Sequence, residues 1–307
     1  MVPRPLLILI PVLAGVWPIH PQDREPVWSG VERIVAVGDV HGDCDQFVKA
    51  LRGGGVIDAS GDWIAGKTHL VQVGDVLDRG PDSRKALDLL MKLEGQAAGA
   101  GGRVHALIGN HEAMVLQGDL FYLHPREAEA YGGLEEFRKA MGPEGVYGRW
   151  IRRNDTVIKI NDTLFVHGGI APRYAALSLR EINEAVRREL SGQAKPELTE
   201  DAEGPLWYRG LALAGGEEEL NALLEPVLKA YAASRIVVGH TATRGEISVR
   251  AGGRLILIDV GMTRAYGGPA ACLVMEKGRL FEVSPSGTRE LAAPREEKRS
   301  VLPRRAA

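Results

Sequence analysis

The chain has 307 residues, of which 45% are hydrophobic and 25% charged, as expected for a globular protein with one large domain or two small ones. A net charge of −2 provides no general attraction to nucleic acid or to an acidic membrane. The two cysteines, Cys44 and Cys272, lack CxxC spacing, which excludes a zinc knuckle or a disulfide framework.

The N-terminal segment differs from the rest of the chain. Arg4 precedes an apolar run over residues 6–17, which is too short to span a bilayer comfortably and is typical of a signal-peptide core. No small-x-small cleavage site follows, so an uncleaved anchor and a buried first segment stay open as alternatives. We expect residues 1–22 to be a signal peptide or N-terminal anchor, with export to the periplasm or secretion. Any membrane contact is expected through this segment alone.

Strand-like apolar runs alternate with helical patterns through the first part of the chain. Strands are predicted at 33–37, 70–73 and 104–108, and helices follow the first two, one capped by Asp43 and one over 83–93. This alternation favours parallel strands joined by crossovers, which is an α/β fold.

Residues 113–153 interrupt this alternation, and we expect a mainly helical insert there, close to the site. The remaining predicted elements are a hairpin at 157–160 and 164–166, helices at 179–190 and 217–232, strands at 236–238 and 255–258, and a hairpin over 271–283. From residue 291 on, Pro and Arg dominate. We therefore expect one domain over residues 28–290 and a disordered tail over residues 291–307.

Five of the predicted strands end in side chains that can bind metal ions. The motifs are GDVHG (38–42), GDVLDRG (74–80), GNHE (109–112), HGG (167–169) and GHT (239–241). A single histidine after a strand is more often a core residue than a ligand. Because ligands gather at the carboxyl ends of strands in open α/β sheets, five such ends together favour a metal site.

The types of side chain in these motifs indicate which metals to expect. The expected ligands are Asp39, His41, Asp75, Asn110, His167 and His240. The first two can face one ion from a single loop, Asp75 can bridge, and the last three can complete a second ion. Carboxylate, amide and imidazole without thiolate suit manganese, iron or zinc. Two cations about 3.5–4 Å apart that share a carboxylate are the arrangement of a two-metal hydrolase.

This ordered set of motifs resembles the phosphoprotein phosphatases, within the calcineurin-like metallophosphoesterases, over roughly residues 33–283. Within that family the chain is similar to the bacterial-type Shewanella-like phosphatases. Ile108 stands where the eukaryotic Ser/Thr enzymes have an arginine before GNHE, and their SAPNYC-like run is absent. The segments YGRW (147–150) and WYRG (207–210) also fit the Shewanella-like group. The resemblance implies two stacked mixed β-sheets flanked by helices, with two metals at the strand ends.

The resemblance also implies a function and roles for residues. We expect a dinuclear metal-dependent phosphomonoesterase that hydrolyses phosphoproteins or phosphopeptides in one step, with a metal-bridging hydroxide as nucleophile. Arg79, Arg209 and the Asn110 amide are expected to bind the phosphate, and His111, oriented by Asp78, to protonate the leaving group. With no arginine at position 108, we expect a more apolar pocket wall and a preference for phosphotyrosine.

Two other functions stay open. A dinucleoside polyphosphate hydrolase has related motifs, although by family resemblance it usually has Asn in place of Asp78. A catalytically inactive binding scaffold of the same fold would need lost ligands, whereas every expected ligand is present. We expect no nucleic-acid partner, since no basic patch tracks a phosphate backbone.

Some residues near the motifs have an ordinary structural interpretation as well. Tyr266 can line the pocket, and Asp259 can be no more than a turn residue at a strand end. Cys44, next to the first metal motif, is expected to be a small buried hydrophobe.

Overall fold

The computed structural model describes residues 26–291. The expected signal peptide or anchor at residues 1–22 lies outside the described residues, as do residues 292–307 of the expected tail. Leu291, the first residue of that tail, ends a β-strand. Within residues 26–291, none of the helices combines the length and the apolar character needed to cross a membrane.

The first sheet has six strands. In spatial order they are β1 (Val27–Trp28), β5 (Val157–Ile160), β6 (Thr163–Val166), β7 (Arg235–Val238), β9 (Leu255–Leu257) and β8 (Ser248–Arg250), with β1 and β8 at its edges. β6, β7 and β9 are parallel, whereas β5 and β8 run antiparallel to their neighbours β6 and β9. The expected hairpin around Asn161 and Asp162 is therefore confirmed.

The second sheet also has six strands. In spatial order they are β12 (Gly287–Leu291), β11 (Arg279–Ser284), β10 (Cys272–Glu276), β2 (Arg33–Val37), β3 (His69–Gln72) and β4 (Arg103–Ala106). β2, β3 and β4 are parallel, and β10 to β12 form an antiparallel meander on the other side of β2. Two mixed sheets flanked by helices confirm the predicted fold class.

The described helices pack around these sheets. They are α1 (Cys44–Gly53), α2 (Ser83–Gly99), α3 (Asn110–Gln117), α4 (Pro125–Ala130), α5 (Leu134–Met141), α6 (Val146–Arg152), α7 (Leu179–Leu190), α8 (Gly210–Leu213) and α9 (Glu217–Ala230). α1 begins as predicted, with Oδ1 of Asp43 accepting a hydrogen bond from the amide of Gln46. α2 extends beyond the predicted residue 93, because Ala97 continues its buried stripe.

Two aromatic residues of the YGRW motif (147–150) connect the helical segment of residues 110–152 to helix α2. The Tyr147 hydroxyl donates to Asp88 on α2, and the Trp150 indole donates to Glu94 one and a half turns further along. Both aromatic side chains are buried. These two contacts hold α6 against α2, so the motif has a structural role here.

The strand register brings the carboxyl ends of the parallel strands to one edge. In the second sheet Val37 pairs with Gln72, and Gln72 pairs with Ala106. In the first sheet Val166 pairs with Val238. Each of these residues is followed within four positions by one of the metal-binding motifs, so the loops that carry the motifs share this edge.

Candidate metal centre

The loops after the strands contain an unusual concentration of left-handed backbone. Non-glycine residues with positive φ at the site are His41, Asp75, Asp78, Arg79 and His240, with φ of 47°, 57°, 69°, 66° and 62°. Such conformations are uncommon for residues with a Cβ, and they persist where surrounding structure imposes them, often at functional sites. The strained backbone of these turns therefore determines the direction in which the side chains of the site point.

A close backbone approach brings two of these loops together. Gly74 has φ of 103°, and a Cβ at this position would lie 2.6 Å from the amide nitrogen of Gly109. Only glycine permits both the conformation and the contact. The GDVLDRG and GNHE loops consequently pack backbone to backbone.

Four of the predicted ligands converge on one buried point. Nε2 of His167 lies 2.9 Å from Oδ1 of Asn110, 3.2 Å from Nδ1 of His240 and 3.3 Å from Oδ2 of Asp75. All four residues are buried. This is the ligand set that the sequence predicts for the second metal ion.

The hydrogen bonds behind His167 show that this cluster fits a cation. Nδ1 of His167 lies 3.0 Å from the carbonyl oxygen of Val73, so this nitrogen donates its proton to the backbone. Nε2 then faces the oxygens of Asn110 and Asp75, which are acceptors, and although burial opposes protonation, the Asp75 carboxylate raises the pKa of His167. Buried acceptors directed at one another are costly unless a positive charge lies between them. A bound metal ion would remove this repulsion.

A second cluster lies on the other side of Asp75. Nδ1 of His41 lies 3.1 Å from the carbonyl oxygen of Leu77, which leaves Nε2 as the free lone pair. That Nε2 lies 3.8 Å from Oδ2 of Asp39 and 3.7 Å from Oδ2 of Asp75. Oδ2 of Asp75 therefore faces both clusters, which is the position that a bridging carboxylate requires.

The protonation states of His41, His240 and Asp75 suit metal binding. Burial lowers the pKa of His41 to about 4 and that of His240 to about 2, so both imidazoles are neutral near pH 7. Burial alone would raise the pKa of Asp75, but the adjacent His167 and His111 hold it well below its ordinary value. Two neutral imidazoles and an ionised carboxylate are the forms that coordinate a metal.

His111 lies close to the first cluster but faces other partners. Ligand atoms of His41, Asp75 and His111 all fall within 4.8 Å of one another. However, Nδ1 of His111 lies 2.7 Å from Oδ2 of Asp78, and its Nε2 lies 3.3 Å from Nη2 of Arg79. A guanidinium in front of Nε2 repels a cation, so Asp39 fits the first ion better than His111 does.

The charge state of His111 is set by its neighbours. Burial opposes its protonation, but the carboxylates of Asp75 and Asp78 raise its pKa above the ordinary value. A histidine in this setting can hold a proton near neutral pH and deliver it. The Asp78 carboxylate fixes which ring nitrogen faces the open side of the site.

The two predicted phosphate-binding arginines lie on opposite sides of the metal clusters. Nη1 of Arg209 donates to the carbonyl oxygen of His240 at 2.6 Å and to Oγ1 of Thr241 at 3.1 Å. Arg79 lies beside His111 at the first cluster. The structure thus brings all the predicted site residues together.

An aromatic rim surrounds Arg79, and we use this name for Phe121, Tyr122 and Tyr266. The Arg79 guanidinium carbon lies 4.7 Å from the Tyr122 ring centre and 5.3 Å from that of Tyr266. Tyr266 is half exposed, and Phe121, whose ring packs edge-on against Tyr122, is 80% exposed. Sequence reasoning proposed Tyr266 and missed the other two. The signal was a pair of adjacent aromatics between Leu120 and Leu123 in the insert.

The apolar wall expected at position 108 is not where the sequence argument placed it. Ile108 is completely buried, and its amide donates to the carbonyl oxygen of Asp155. It therefore fills the core and does not line the mouth of the site. The aromatic rim supplies the apolar surface there.

Glu112 is a functional residue that sequence reasoning missed, although it lies in the quoted GNHE motif. Its buried carboxylate accepts hydrogen bonds from the amides of Asp75, Val76 and Leu77 at 2.7, 2.8 and 3.1 Å. It also accepts from Gly109 at 2.8 Å. Glu112 therefore holds the loop of Asp75 against the loop of Gly109.

Asp259 is a turn residue after β9, as the sequence allows, and it is buried. Its Oδ1 accepts a hydrogen bond from the amide of Gly261 at 2.8 Å. Burial raises the pKa of Asp259 to about 6, and the negative charges nearby include that of Asp75. Cys44, by contrast, is a partly buried residue at the start of α1, where burial raises its pKa to about 11.

Comparisons with known proteins agree with this geometry. Residues 32–244 match the model of the calcineurin-like phosphoesterase family. Shewanella-like protein phosphatase 2 of Arabidopsis thaliana is 31% identical, with 76% of this chain and 72% of that protein covered. The crystal structure of a cold-active protein-tyrosine phosphatase from a psychrophilic Shewanella species superposes with a TM-score of 0.79 at 31% identity. That match covers 92% of this chain and 89% of the other.

A second group of relatives is more distant. A symmetrical bis(5'-nucleosyl)-tetraphosphatase of Ralstonia nicotianae is 27% identical over 169 residues, which cover 55% of this chain and 53% of that protein. Its identity and its coverage are both lower than those of the phosphatases above.

Proposed function

Because the chain belongs to the calcineurin-like phosphoesterase family and is a metal-dependent phosphoester hydrolase, we propose that it is a protein phosphatase with a preference for phosphotyrosine. The observation that carries this preference is the aromatic rim around Arg79. A phosphate held by Arg79 places its organic substituent beside Tyr122 and Tyr266. An aryl group can pack against these rings, whereas the short alkyl chain of phosphoserine cannot reach them equally well.

We assign the metal ligands by the two clusters. Asp39, His41 and Asp75 would hold one ion, and Asp75, Asn110, His167 and His240 the other. When bound, two such ions supply an ionised water as nucleophile and neutralise charge on the phosphoryl oxygens. Manganese, iron and zinc all suit this mixture of carboxylate, amide and imidazole ligands.

The remaining residues act on the substrate. Arg79 and Arg209 would bind phosphoryl oxygens from opposite sides, and the Asn110 amide group would contribute from the second cluster. When the phosphate draws the Arg79 guanidinium towards it, Nε2 of His111 is free to hold a proton. His111 then donates that proton to the leaving oxygen, while Asp78 stabilises the charged imidazole.

A panel of matched peptides tests the substrate proposal. Peptides that differ only in phosphotyrosine, phosphothreonine or phosphoserine are compared by kcat/KM at saturating metal. We expect the phosphotyrosine peptide to be preferred, and Tyr122→Leu to reduce the preference by roughly two- to tenfold, the value of one aromatic contact. Phe281→Leu, an aromatic substitution on β11, is the matched control. A preference for phosphoserine in the wild type would overturn the proposed specificity.

A dinucleoside polyphosphate hydrolase is the weaker alternative, because those relatives are 24–27% identical to this chain, whereas the Shewanella-like phosphatases are 31% identical. Incubation with diadenosine tetraphosphate tests it, and we expect a much lower kcat/KM than with phosphotyrosine. An inactive scaffold is disfavoured by the complete set of ligands at the strand ends.

For the location of the protein, we propose export to the periplasm or beyond the cell, on the basis of the apolar run at residues 6–17. Fractionation of cells that express the full chain tests this proposal. We expect the mature protein in the exported fraction, and recovery of the uncleaved chain in the cytoplasm would contradict it.

A further inference from the structure

A polar cleft of ≈ 820 Å³ opens beside the metal centre. Its walls are the loop of residues 242–246, the segment 260–269 and the β11–β12 turn with the first residues of β12. Tyr266 lines this cleft and is also part of the aromatic rim. Its ring centre lies 6.0 Å from that of His41, a predicted metal ligand. The cleft and the site of phosphate hydrolysis therefore share one wall.

Backbone contacts fix the shape of this cleft. The amide of Thr243 donates to the carbonyl oxygen of Asp259, and that of Gly268 donates to the carbonyl oxygen of Gly261, both at 2.8 Å. A Cβ at Gly268 would collide with the backbone of Val260, so the glycine permits the second contact. Two of the walls are thus tied directly to the chain segment that follows β9.

The two arginines that line the cleft, Arg244 and Arg289, differ in whether an acidic residue pairs with them. Arg289 forms ion pairs with both Glu246 and Glu282, so its positive charge is already compensated. Arg244 lies exposed in the wall and has no hydrogen bond or ion pair with another residue in the described range 26–291. One guanidinium in the cleft is therefore available to a ligand.

We propose that this cleft binds the polypeptide that flanks the phosphorylated residue, and that Arg244 selects substrates with an acidic side chain in that flank. The proposal rests on the proposed function as a protein phosphatase. A peptide whose phosphorylated side chain enters beside Tyr266 has its backbone at the mouth of the cleft. Among residues 26–291, β12 lies at the edge of its sheet, and such an edge can pair with an extended chain.

Charge reversal tests the role of Arg244. Peptides carry Glu or Lys at successive positions on either side of the phosphorylated residue that the wild type prefers. We expect the wild type to favour Glu at one or two positions by roughly two- to fivefold in kcat/KM, the strength of an exposed ion pair, and to lose the preference at high salt. Arg244→Glu should invert the preference. Arg188→Glu, an exposed arginine on α7, is the matched control and should leave it unchanged.

Filling the cleft tests its occupancy by peptide. Thr288 is exposed on β12 within the cleft, and a tryptophan is well tolerated on a strand. Thr288→Trp should lower kcat/KM for peptides but not for nitrophenyl phosphate, which does not extend into the cleft. The cleft proposal is wrong if Arg244→Glu and Thr288→Trp both keep the wild-type ratio of peptide to nitrophenyl phosphate activity and the wild-type preference for the flanking residues. The peptide panel under the proposed function is unaffected by that outcome, so the two failures are distinguishable.

Discussion

Nδ1 of His111 lies 2.7 Å from Oδ2 of Asp78, and both side chains are buried beside the carboxylate of Asp75. The carboxylate orients the imidazole so that Nε2 faces Arg79 and the open side of the site. This relationship gives His111 the position of an acid and not that of a metal ligand.

The acid role predicts that the effect of removing His111 depends on the leaving group. A positioned acid contributes ~10²–10⁴-fold when the leaving oxygen needs a proton. His111→Gln should therefore reduce kcat much more on an alkyl phosphate or phosphoserine peptide than on nitrophenyl phosphate, whose anion leaves readily. Asp78→Asn should show the same pattern more weakly, because it removes the partner that orients the ring.

Metal content is the control for both variants. Neither residue is assigned as a ligand, so each variant should retain the metal stoichiometry of the wild type. If both substrates lost rate by the same factor, His111 would instead hold the phosphate or the nucleophile.

The arginines on either side of the clusters predict a change in product inhibition. Arg79→Ala and Arg209→Ala each remove charge-assisted hydrogen bonds worth about 1.5–3 kcal/mol. The inhibition constant of inorganic phosphate should therefore rise roughly 10- to 100-fold, and KM for small phosphate esters should rise with it. Arg188→Ala, with the same loss of charge, should change neither constant. Unchanged phosphate inhibition in Arg209→Ala would leave Arg209 as a support for the loop of His240.

Glu112 provides a test of how the ligand loops are held. Its carboxylate accepts four backbone hydrogen bonds from the loops of Asp75 and Gly109. Glu112→Ala leaves these buried amides without acceptors, and we expect a loss of about 3–5 kcal/mol in the free energy of unfolding together with weaker metal binding. Urea denaturation and metal titration measure the two effects. Glu112→Gln, which keeps one acceptor oxygen, should have an intermediate stability. Wild-type stability in both variants would show that the loops keep their conformation without these hydrogen bonds.

A histidine pair at the other end of the parallel strands predicts a pH dependence of stability. Nδ1 of His69 lies 3.0 Å from Nε2 of His105, and the His105 ring packs edge-on against Trp28 at 4.4 Å. Burial and then the charge of Arg103 lower the pKa of His69 to about 4, and burial lowers that of His105 well below its ordinary value. Below about pH 6.5 these two histidines therefore bind protons more readily in the unfolded chain than in the folded protein, which lowers the free energy of unfolding.

The contribution of this pair to stability is present above about pH 6.5 and is lost as the pH falls towards 4. His105→Phe removes one titrating group while keeping a ring against Trp28, so its urea midpoint should fall less steeply over this range than that of the wild type. His124→Asn, at the cap of α4, is the control and should follow the wild type. Equal slopes for His105→Phe and the wild type would contradict the assignment.

The parts of the fold that were predictable from sequence are those with a strong local pattern. Apolar runs such as Ile34–Val37 identified the parallel strands, and the motifs after them identified the edge at which ligands meet. β12 was not predictable, because its residues Gly287–Glu290 are exposed and carry no alternation of apolar side chains. It is a strand because it pairs with β11, which is a tertiary contact.

The same distinction applies to the site. The proposed metal ligands are recognised by residue type and spacing, so they were visible in the sequence. Glu112 acts through backbone amides brought to it from another strand, and Tyr122 acts through its position over Arg79. Neither contact leaves a trace in local sequence, so both needed the structure.

The central claim is a two-metal centre bridged by Asp75, and metal content measured together with activity tests it most directly. We predict two metal equivalents per chain in the active wild type. Asp75→Asn should lose metal and activity together, because a neutral amide bridges two cations poorly. His111→Gln, a neighbouring substitution outside the ligand set, should keep both metals. Two full equivalents and normal activity in Asp75→Asn would contradict the account.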